Sequence, residues 1–309
     1  MDASLTSDIA PLIAASINAG TPLMLAALGL LINEKSGVVN LGAEGMMLVA
    51  AVVGFATAVN TGSVTIGFLA AAGAGMLLAG FFALLTVWLG TNQYATGLAL
   101  ALFGSGASAY IGMDYVGHSL ENPKFALPWL SDIPFLGTAL FRQHPMVYLS
   151  LLLCGGVIWF LYRSRAGLVL RAVGESPSSA HALGYNVRII RLAALLFGGA
   201  CCGLAGAFMS LVYTPMWVEG MVAGRGWIAL ALTTFATWRP ARVLVGAYLF
   251  GGVTILTFHV QGLGVSIASQ WLSMLPYLAT IVVLVLISNN ANWIKLNMPA
   301  SLGKNFHPH

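Results

Sequence analysis

The chain has 309 residues, of which 59% are hydrophobic and 7% are charged, and its formal net charge is +4. Soluble globular domains carry about 25% charged residues, so this composition excludes an ordinary soluble protein and indicates an integral membrane protein. The positive charge does not indicate nucleic-acid binding, because five of the nine arginines lie in one stretch beside apolar segments, from Arg163 to Arg191.

Apolar segments long enough to cross a bilayer recur along the chain. The predicted spans are residues 8–32, 44–59, 64–89, 94–112, 143–162, 191–213, 226–238, 243–260 and 271–288. We therefore expect a single all-α domain over residues 1–309, a polytopic transmembrane helical bundle of about 8–10 spans with broken or re-entrant helices. The N-terminus lacks the basic region and the cleavage site of a secretory signal, so the first span should be retained.

The first polar patch, residues 33–47, reads NEKSGVVNLGAEGMM and lies between two apolar spans. Asn40 and Glu44 are candidates for contact with a transport pathway, because an acid inside a span is a functional candidate by default. A helix cap is an equally weighted alternative for Glu44, since an acid in the first helical turn complements the helix dipole. Glu34 and Lys35 are interpreted as structural charges near a helix end.

Further along, Asn92 and Gln93 form a polar step between two spans, which favours a turn, with pathway contact as the second interpretation. Residues 113–142 carry three acids and are predicted to be an extracytoplasmic loop. Small residues four apart in the span at 191–213 predict close helix packing. The cysteines lie in apolar segments without metal spacing, so we expect core residues and neither a disulfide nor a metal site: Cys154, Cys201 and Cys202.

Residues 163–190 form a polar loop that is rich in arginine, so the positive-inside rule places it in the cytoplasm and leaves the N-terminus outside. A short helix is predicted there from Pro177 to Leu183. Ser176 suits the N-cap, Pro177 suits the first helical position, and Gly184 suits the position after the helix.

The second half of the chain contains EGMVAGRGWIALAL, residues 219–232, which is similar to GVVNLGAEGMMLVA at residues 37–50. Each places a glycine-containing turn before an apolar helix, so two related halves are expected, and such interrupted segments point to a transport site. Glu219 and Arg225 bracket the second turn. They form either an ion pair at the outer mouth of a pathway or an ordinary surface pair.

Three stretches of this sequence resemble one known family, the permease subunits of bacterial ABC importers of the branched-chain amino acid, ribose and nucleoside type. NEKSGVVNLGAEGMM is similar to the family pattern E-(R/K)-x-G-V-x-N-(L/I)-G-x-E-G-M, in its nucleoside or simple-sugar branch. RAVGESPSSAHALG resembles the family's coupling segment, and GRGWIALALTTFATWRPARVLVGAYLFGG resembles a third signature. The chain departs from the family at Ala236 and Thr237, where a glycine is common.

The resemblance implies a multi-pass permease of the bacterial inner membrane, surrounded by lipid and paired with a second permease subunit, identical or different. It implies that a coupling helix docks into cytoplasmic ATPase subunits and that an extracytoplasmic solute-binding protein delivers the solute. Nucleosides are the preferred cargo, with simple sugars second. The implied coupling residues are Arg171, Gly174, Glu175, Ser176, Pro177, Ala180 and Gly184.

The sequence contains no GxxxxGK[ST] loop to cradle phosphates. We therefore expect a subunit that is not an enzyme and holds no cofactor, with ATP bound by its partners. The alternative is an ion-coupled secondary transporter that uses Glu44 or Glu219 as a proton or cation site.

Overall fold

The computed structural model describes residues 3–121, 135–262 and 297–306, together with seven single positions between 271 and 285. The first two ranges contain ten α-helices: α1 (Ala3–Lys35), α2 (Ala43–Thr61), α3 (Val64–Ala83), α4 (Gln93–Gly112), α5 (Pro145–Arg163), α6 (Arg165–Glu175), α7 (Pro177–Ala182), α8 (Val187–Phe208), α9 (Arg225–Phe235) and α10 (Pro240–Gly262). π-Helical turns extend α3 through Leu84–Trp88 and α8 through Met209–Tyr213. A third π-helical turn, Gly137–Phe141, precedes α5.

Seven helices in the described part of the chain are long and apolar enough to cross a membrane: α1, α2, α3, α4, α5, α8 and α10. They correspond within a few residues to seven predicted spans, so the polytopic all-α bundle is confirmed. The predicted span at 271–288 falls largely on residues that the structure does not describe.

The predicted span at 226–238 contains a helix that is too short to cross. α9 has 11 residues, which is about 16 Å at 1.5 Å per residue, against about 30 Å of hydrocarbon. The residues on either side, Ala223 and Gly224 before it and Thr237 and Trp238 after it, have positive φ. α9 is therefore one of the broken helices that the sequence predicts.

Small residues make the closest contacts between helices, as expected. Gly199 and Gly203 of α8 face α3, where a Cβ on Gly199 would lie 2.4 Å from the Cβ of Ala79. Gly206 faces α2 instead, and a Cβ there would lie 2.1 Å from the carbonyl oxygen of Met47. The small residues of α8 thus pack against two neighbours. The three cysteines are free and buried, as predicted: Cys154, Cys201 and Cys202.

The bundle has two ends, and the one formed by residues 163–191, which include α6 and α7, is here named the arginine-rich end. α1 finishes at this end, since a Cβ on Gly174 would lie 2.2 Å from the carbonyl oxygen of Lys35. At the opposite end, the amide of Asn60 donates to the hydroxyl of Tyr115 at 3.0 Å. Residues 113–121 lie at this opposite end.

The polar loop at 163–190 contains two helices, of which the sequence predicts one. α7 ends at Ala182, one residue earlier than predicted. α6 was not predicted, although its buried residues recur at helical spacing, a pattern that could have revealed it. Those residues are Gly167, Leu170, Val173 and Gly174.

Candidate functional site

The first break in the helices lies at residues 36–42, between α1 and α2. Its backbone is almost wholly buried. The amide of Val39 donates to Oε1 of Gln93 at 2.9 Å, and the amide of Gly42 donates to Oδ1 of Asn40 at 3.0 Å. Non-helical backbone is tolerated at membrane depth only where its polar groups find partners within the protein. Asn40 and Gln93, both predicted pathway residues, supply acceptors for this break.

The second break, residues 214–224, leads into α9 and meets the first at Glu44. The carboxylate of Glu44 accepts hydrogen bonds from the amides of Gly224 at 2.8 Å and Gly226 at 2.7 Å. A Cβ on Gly226 would lie 2.6 Å from the Cα of Glu44, so the two backbones are in direct contact. Glu44 is itself in the first turn of α2. Its negative charge therefore complements the N-terminal dipoles of α2 and α9 together.

The depth of Glu44 can be read from α4, which packs against the start of α2. A Cβ on Gly104 would lie 2.4 Å from the Cα of Gly45. Gly104 is about 16 Å along α4 from Gln93, at 1.5 Å per residue, which is about half of the hydrocarbon thickness. Glu44 thus lies near the middle of the bundle and bonds to the N-terminus of α9, while the N-cap of its own helix, Gly42, has no side-chain hydrogen bond. Pathway contact by Glu44 stays a prediction.

A second glutamate holds the other end of α9. Glu34 is 3% exposed, and its carboxylate accepts hydrogen bonds from the hydroxyl of Thr233 at 3.0 Å and from the indole N–H of Trp238. From its sequence context, Glu34 is interpreted as an ordinary charge near a helix end. Its burial and its hydrogen bonds show that it is instead an internal contact of the helix bundle. The short helix α9 is therefore attached at both ends to glutamates of the NEKSGVVNLGAEGMM stretch.

The remaining pathway candidates lie outside this cluster. Asn92 is an exposed N-cap whose side chain accepts hydrogen bonds from the amides of Tyr94 and Ala95, which confirms the turn. Glu219 is exposed at the surface. The guanidinium of Arg225 donates to the carbonyl of Val222 at 3.2 Å and lies over the ring of Tyr213. In the described part of the chain, no ion pair joins Glu219 to Arg225.

The predicted coupling residues come together at the corner between α6 and α7. The hydroxyl of Ser176 accepts a hydrogen bond from the amide of Ser179 at 3.3 Å, Pro177 occupies the first turn, and Gly184 has φ +88°. Ala180 is 2% exposed and packs with Val173 and Val187 in a small core. The other members of the set lie on α6: Arg171, Gly174 and Glu175.

The outer surface of α7 is open. Residues 181–186 are exposed in one continuous run, and Leu183 exposes 78% of its side chain. A short helix that is anchored on its inner side and presents an apolar residue on its outer side has the form of a docking element. The run lies at the arginine-rich end of the bundle.

Arg191 is a buried charge beside the first break that sequence reasoning missed. It was counted among the loop arginines, yet it is 2% exposed and is the largest fully buried side chain of the described chain. Its Nε donates to the carbonyl of Ser36 at 3.2 Å, which joins α8 to the first break. An arginine that opens the long apolar run LAALLFGGACCG was the signal available in the sequence.

Comparison with known proteins identifies the class to which this bundle belongs. The family described as branched-chain amino acid transport system / permease component matches residues 12–286, so the chain belongs to this family. It is therefore a permease subunit of an ABC transporter and an integral, multi-pass protein of the inner membrane. Permease subunits of this kind are non-catalytic and work with ATPase subunits and substrate-binding proteins.

Three relatives match the chain along most of their length. It is 40% identical to the putative glucose ABC transporter permease protein TsgC13 of Haloferax volcanii, over 96% of this chain and 98% of that protein. It is 30% identical to the nucleoside ABC transporter permease protein NupC of Lactococcus lactis, over 88% and 90%. It is 29% identical to the guanosine ABC transporter permease protein NupQ of Bacillus subtilis, over 95% and 97%. No solved structure matches the chain.

Proposed function

We propose that this permease forms the translocation pathway of an ATP-driven importer for nucleosides, with simple sugars as the second candidate cargo. Two of the relatives described above are named for nucleosides or guanosine, and one is named, as putative, for glucose. These cargoes share a neutral ring that carries hydroxyl groups. A neutral polar solute suits a pathway in which the buried acids, Glu34 and Glu44, are already bonded to protein groups.

The observation that carries the proposal is the junction at Glu44. Both carboxylate oxygens are engaged by backbone amides of the second break, at 2.8 and 2.7 Å. An ion-coupled transporter needs its acidic side chain to exchange a proton or a cation during transport. A carboxylate that joins two helix N-termini has a structural role instead, which favours ATP-driven transport.

A cavity of about 280 Å³ between α1, α9 and α10 offers a place for the solute. Phe250, Phe258, Thr254 and Arg225 contribute to its wall. Aromatic faces can stack on a nucleobase, and hydroxyl and guanidinium groups can hydrogen-bond to the oxygens of a sugar. The cavity lies beside the start of α9, so a movement of that half-helix would change its shape. Asn40, Glu44 and Gln93 shape this region through the breaks, and Arg225 contacts the cavity itself.

Coupling to ATP is proposed to enter through α7. With the arginine-rich end in the cytoplasm, the exposed residues 181–186 face the ATPase subunits, which bind the ATP. Ala180 packs on α6 and α8, so a displacement of α7 is transmitted to the spans by rigid-body movement. Residues 113–121, at the opposite end of the bundle, face the solute-binding protein, and a second permease, identical or different, completes the pathway.

Uptake into proteoliposomes tests this function. The permease is reconstituted with its partner permease, ATPase and binding protein, and the entry of radiolabelled guanosine is measured with ATP on the ATPase side. Uptake should stop when the ATPase is replaced by a variant that cannot hydrolyse ATP, and it should be unaffected by ionophores. Uptake that survives the inactive ATPase but collapses with the ion gradient would contradict the proposal. ATP-dependent entry of radiolabelled glucose in the same preparation, with no entry of guanosine, would assign the cargo to sugars.

A further inference from the structure

Residues 297–306, near the end of the chain, return to the arginine-rich end and contact five separate parts of the bundle. We name this segment the C-terminal clasp. Hydrogen bonds or ring contacts join it to the following described parts: the end of α1 with the first break, the turn between α3 and α4 with the start of α4, α6, α7 and α8. Neither the motifs nor the proposed function accounts for this arrangement.

Ser301 attaches the clasp to α6 and α8. Its amide and its hydroxyl both donate to the carbonyl of Gly174, at 3.0 and 2.6 Å. The buried guanidinium of Arg191 donates to the hydroxyl of Ser301 at 3.4 Å and to the carbonyl of Lys304 at 3.2 Å. Because Arg191 also donates to Ser36, a single buried cation joins the clasp, α8 and the first break. Without the clasp, that cation would lose two of these three acceptors, which is costly for a buried charge.

The clasp also holds the first break directly. The amide of Gly303 donates to the carbonyl of Gly37 at 3.1 Å. Asn305 bridges to the turn before α4: its Nδ2 donates to the carbonyl of Gly90 at 2.6 Å, and its Oδ1 accepts from Gln93 at 3.2 Å. Gln93 in turn accepts the amide of Val39. An unbroken chain of hydrogen bonds therefore runs from the clasp to the backbone of the break.

The last described residue of the clasp reaches α7. The ring centroid of Phe306 lies 5.6 Å from that of His181, and Phe306 packs against the core formed by Val173, Ala180 and Val187. This is the core on which α7 rests. The clasp is thus in contact at one end with the proposed ATPase-docking helix and along its length with the first break.

We propose that the C-terminal clasp is a positioning element of transport, which carries displacement of α7 to the α1–α2 break and from there to Glu44 and α9. This inference rests on the proposed function, since it needs α7 to be the entry point for the ATPase. Asn305 and Ser301 are its positioning residues. They act through Gln93, Gly37 and Arg191 and do not contact the solute.

The test compares the amount of solute taken up with the amount of ATP hydrolysed in the fully reconstituted transporter. Asn305→Ala removes the hydrogen bonds to Gln93 and Gly90. Ser301→Ala removes the hydroxyl that bonds to Gly174 and Arg191, and it leaves the backbone bond to Gly174 in place. Met298→Ala is the matched control, because this clasp side chain is 43% exposed. Each variant is first checked for monodispersity and for its unfolding temperature in detergent.

The expected result is uncoupling. Asn305→Ala should keep its ATPase activity, stimulated by the binding protein, within about twofold of wild type, while guanosine taken up per ATP falls at least fivefold. Ser301→Ala should behave in the same way, and Met298→Ala should match wild type. A role in folding alone would lower ATPase activity and uptake together and leave their ratio unchanged, which would overturn the proposal. A wild-type ratio in both variants would also overturn it. Failure of the wild-type complex to show ATP-dependent uptake would instead reject the proposed function.

Discussion

The two breaks in the helices differ in how firmly they are held. In the first, residues 36–40 are buried and are contacted by side chains or backbone of α4, α8 and the C-terminal clasp. In the second, Val218, Glu219 and Gly220 are exposed. Contact with the first half of the chain is made on either side of this exposed stretch: the amide of Leu120 donates to the carbonyl of Pro215 at 2.9 Å, and the amide of Gly224 donates to Glu44. Similar sequence patterns therefore produce one anchored break and one freer break.

This difference assigns different roles to the two halves of the membrane site. Segments with few buried contacts open or move at lower free-energy cost than those packed on all sides. α9 is a half-helix that follows the freer break, and two glutamates attach it to the anchored half. We expect α9 to change position during transport while the start of α2 stays fixed, as in transporters in which broken helices rock against a scaffold.

The largest effect should come from removing the attachment at Glu44. Glu44→Ala leaves the amides of Gly224 and Gly226 without their acceptor, at about 1–3 kcal/mol for each buried donor, and uptake should fall at least about 10-fold, the equivalent of 1.4 kcal/mol. Glu44→Gln keeps one acceptor oxygen and should be intermediate. Guanosine uptake and the unfolding temperature are the measurements.

Glu219→Gln is the control for this pair, because it removes an exposed acid that lies outside the Glu44 junction. Wild-type uptake in Glu44→Ala would show that the junction does not hold α9. Complete loss of uptake in Glu44→Gln, together with wild-type uptake that is driven by a pH gradient, would identify Glu44 as a proton site.

A smaller effect should separate the two breaks through one glycine in each. Gly37 has φ +90°, and a Cβ there would lie 2.4 Å from the hydroxyl oxygen of Ser301. Gly220 has φ +68° with no atom within 4 Å of the added Cβ. Alanine at either position carries the left-handed backbone cost of about 1–2 kcal/mol, and at Gly37 it must also displace the clasp.

Gly37→Ala should therefore lower the unfolding temperature more than Gly220→Ala does, and it should reduce guanosine uptake severalfold, whereas Gly220→Ala stays near wild type. Thermal unfolding in detergent and uptake by the reconstituted transporter measure the two variants side by side. Equal losses of unfolding temperature and uptake in both variants would mean that the two breaks are held equally firmly, which would contradict the difference in their burial.

Much of the fold is predictable because its signals are local. Seven spans follow from apolar runs alone, and α7 follows from a serine cap, a proline and a glycine in the right order. The packing glycines of α8 also follow from their spacing. α6 was missed because arginines and polar neighbours obscure its apolar stripe. α9 was predicted to continue to residue 238, beyond its end at Phe235, because the turn residues at 237 and 238 include no glycine.

The site is less predictable because its contacts join residues far apart in sequence. Asn40, Glu44 and Gln93 were recognised as unusual residues within or beside spans. Asn40 bonds locally to the amide of Gly42, but the partners of Glu44 and Gln93, at 224, 226 and 39, are set by tertiary structure. Glu34 and Arg191 look like ordinary charges at helix ends until their burial is known. The clasp carries no sequence signature, since its links combine backbone groups that any residue supplies with two ordinary polar side chains, Ser301 and Asn305.

Leu183 offers the most direct test of the central claim, that energy from a partner ATPase enters through α7. Leu183→Asp places a charge on the exposed end of α7 at little cost to folding, since this side chain is 78% exposed, and Leu183→Met keeps an apolar side chain of similar size. The measurement is the amount of ATPase that co-purifies with the permease, together with guanosine uptake. In Leu183→Asp, the amount of co-purified ATPase should fall at least about 10-fold, the equivalent of 1.4 kcal/mol, and uptake should be lost with it. Leu183→Met should retain both. Wild-type association and uptake in Leu183→Asp would contradict the account.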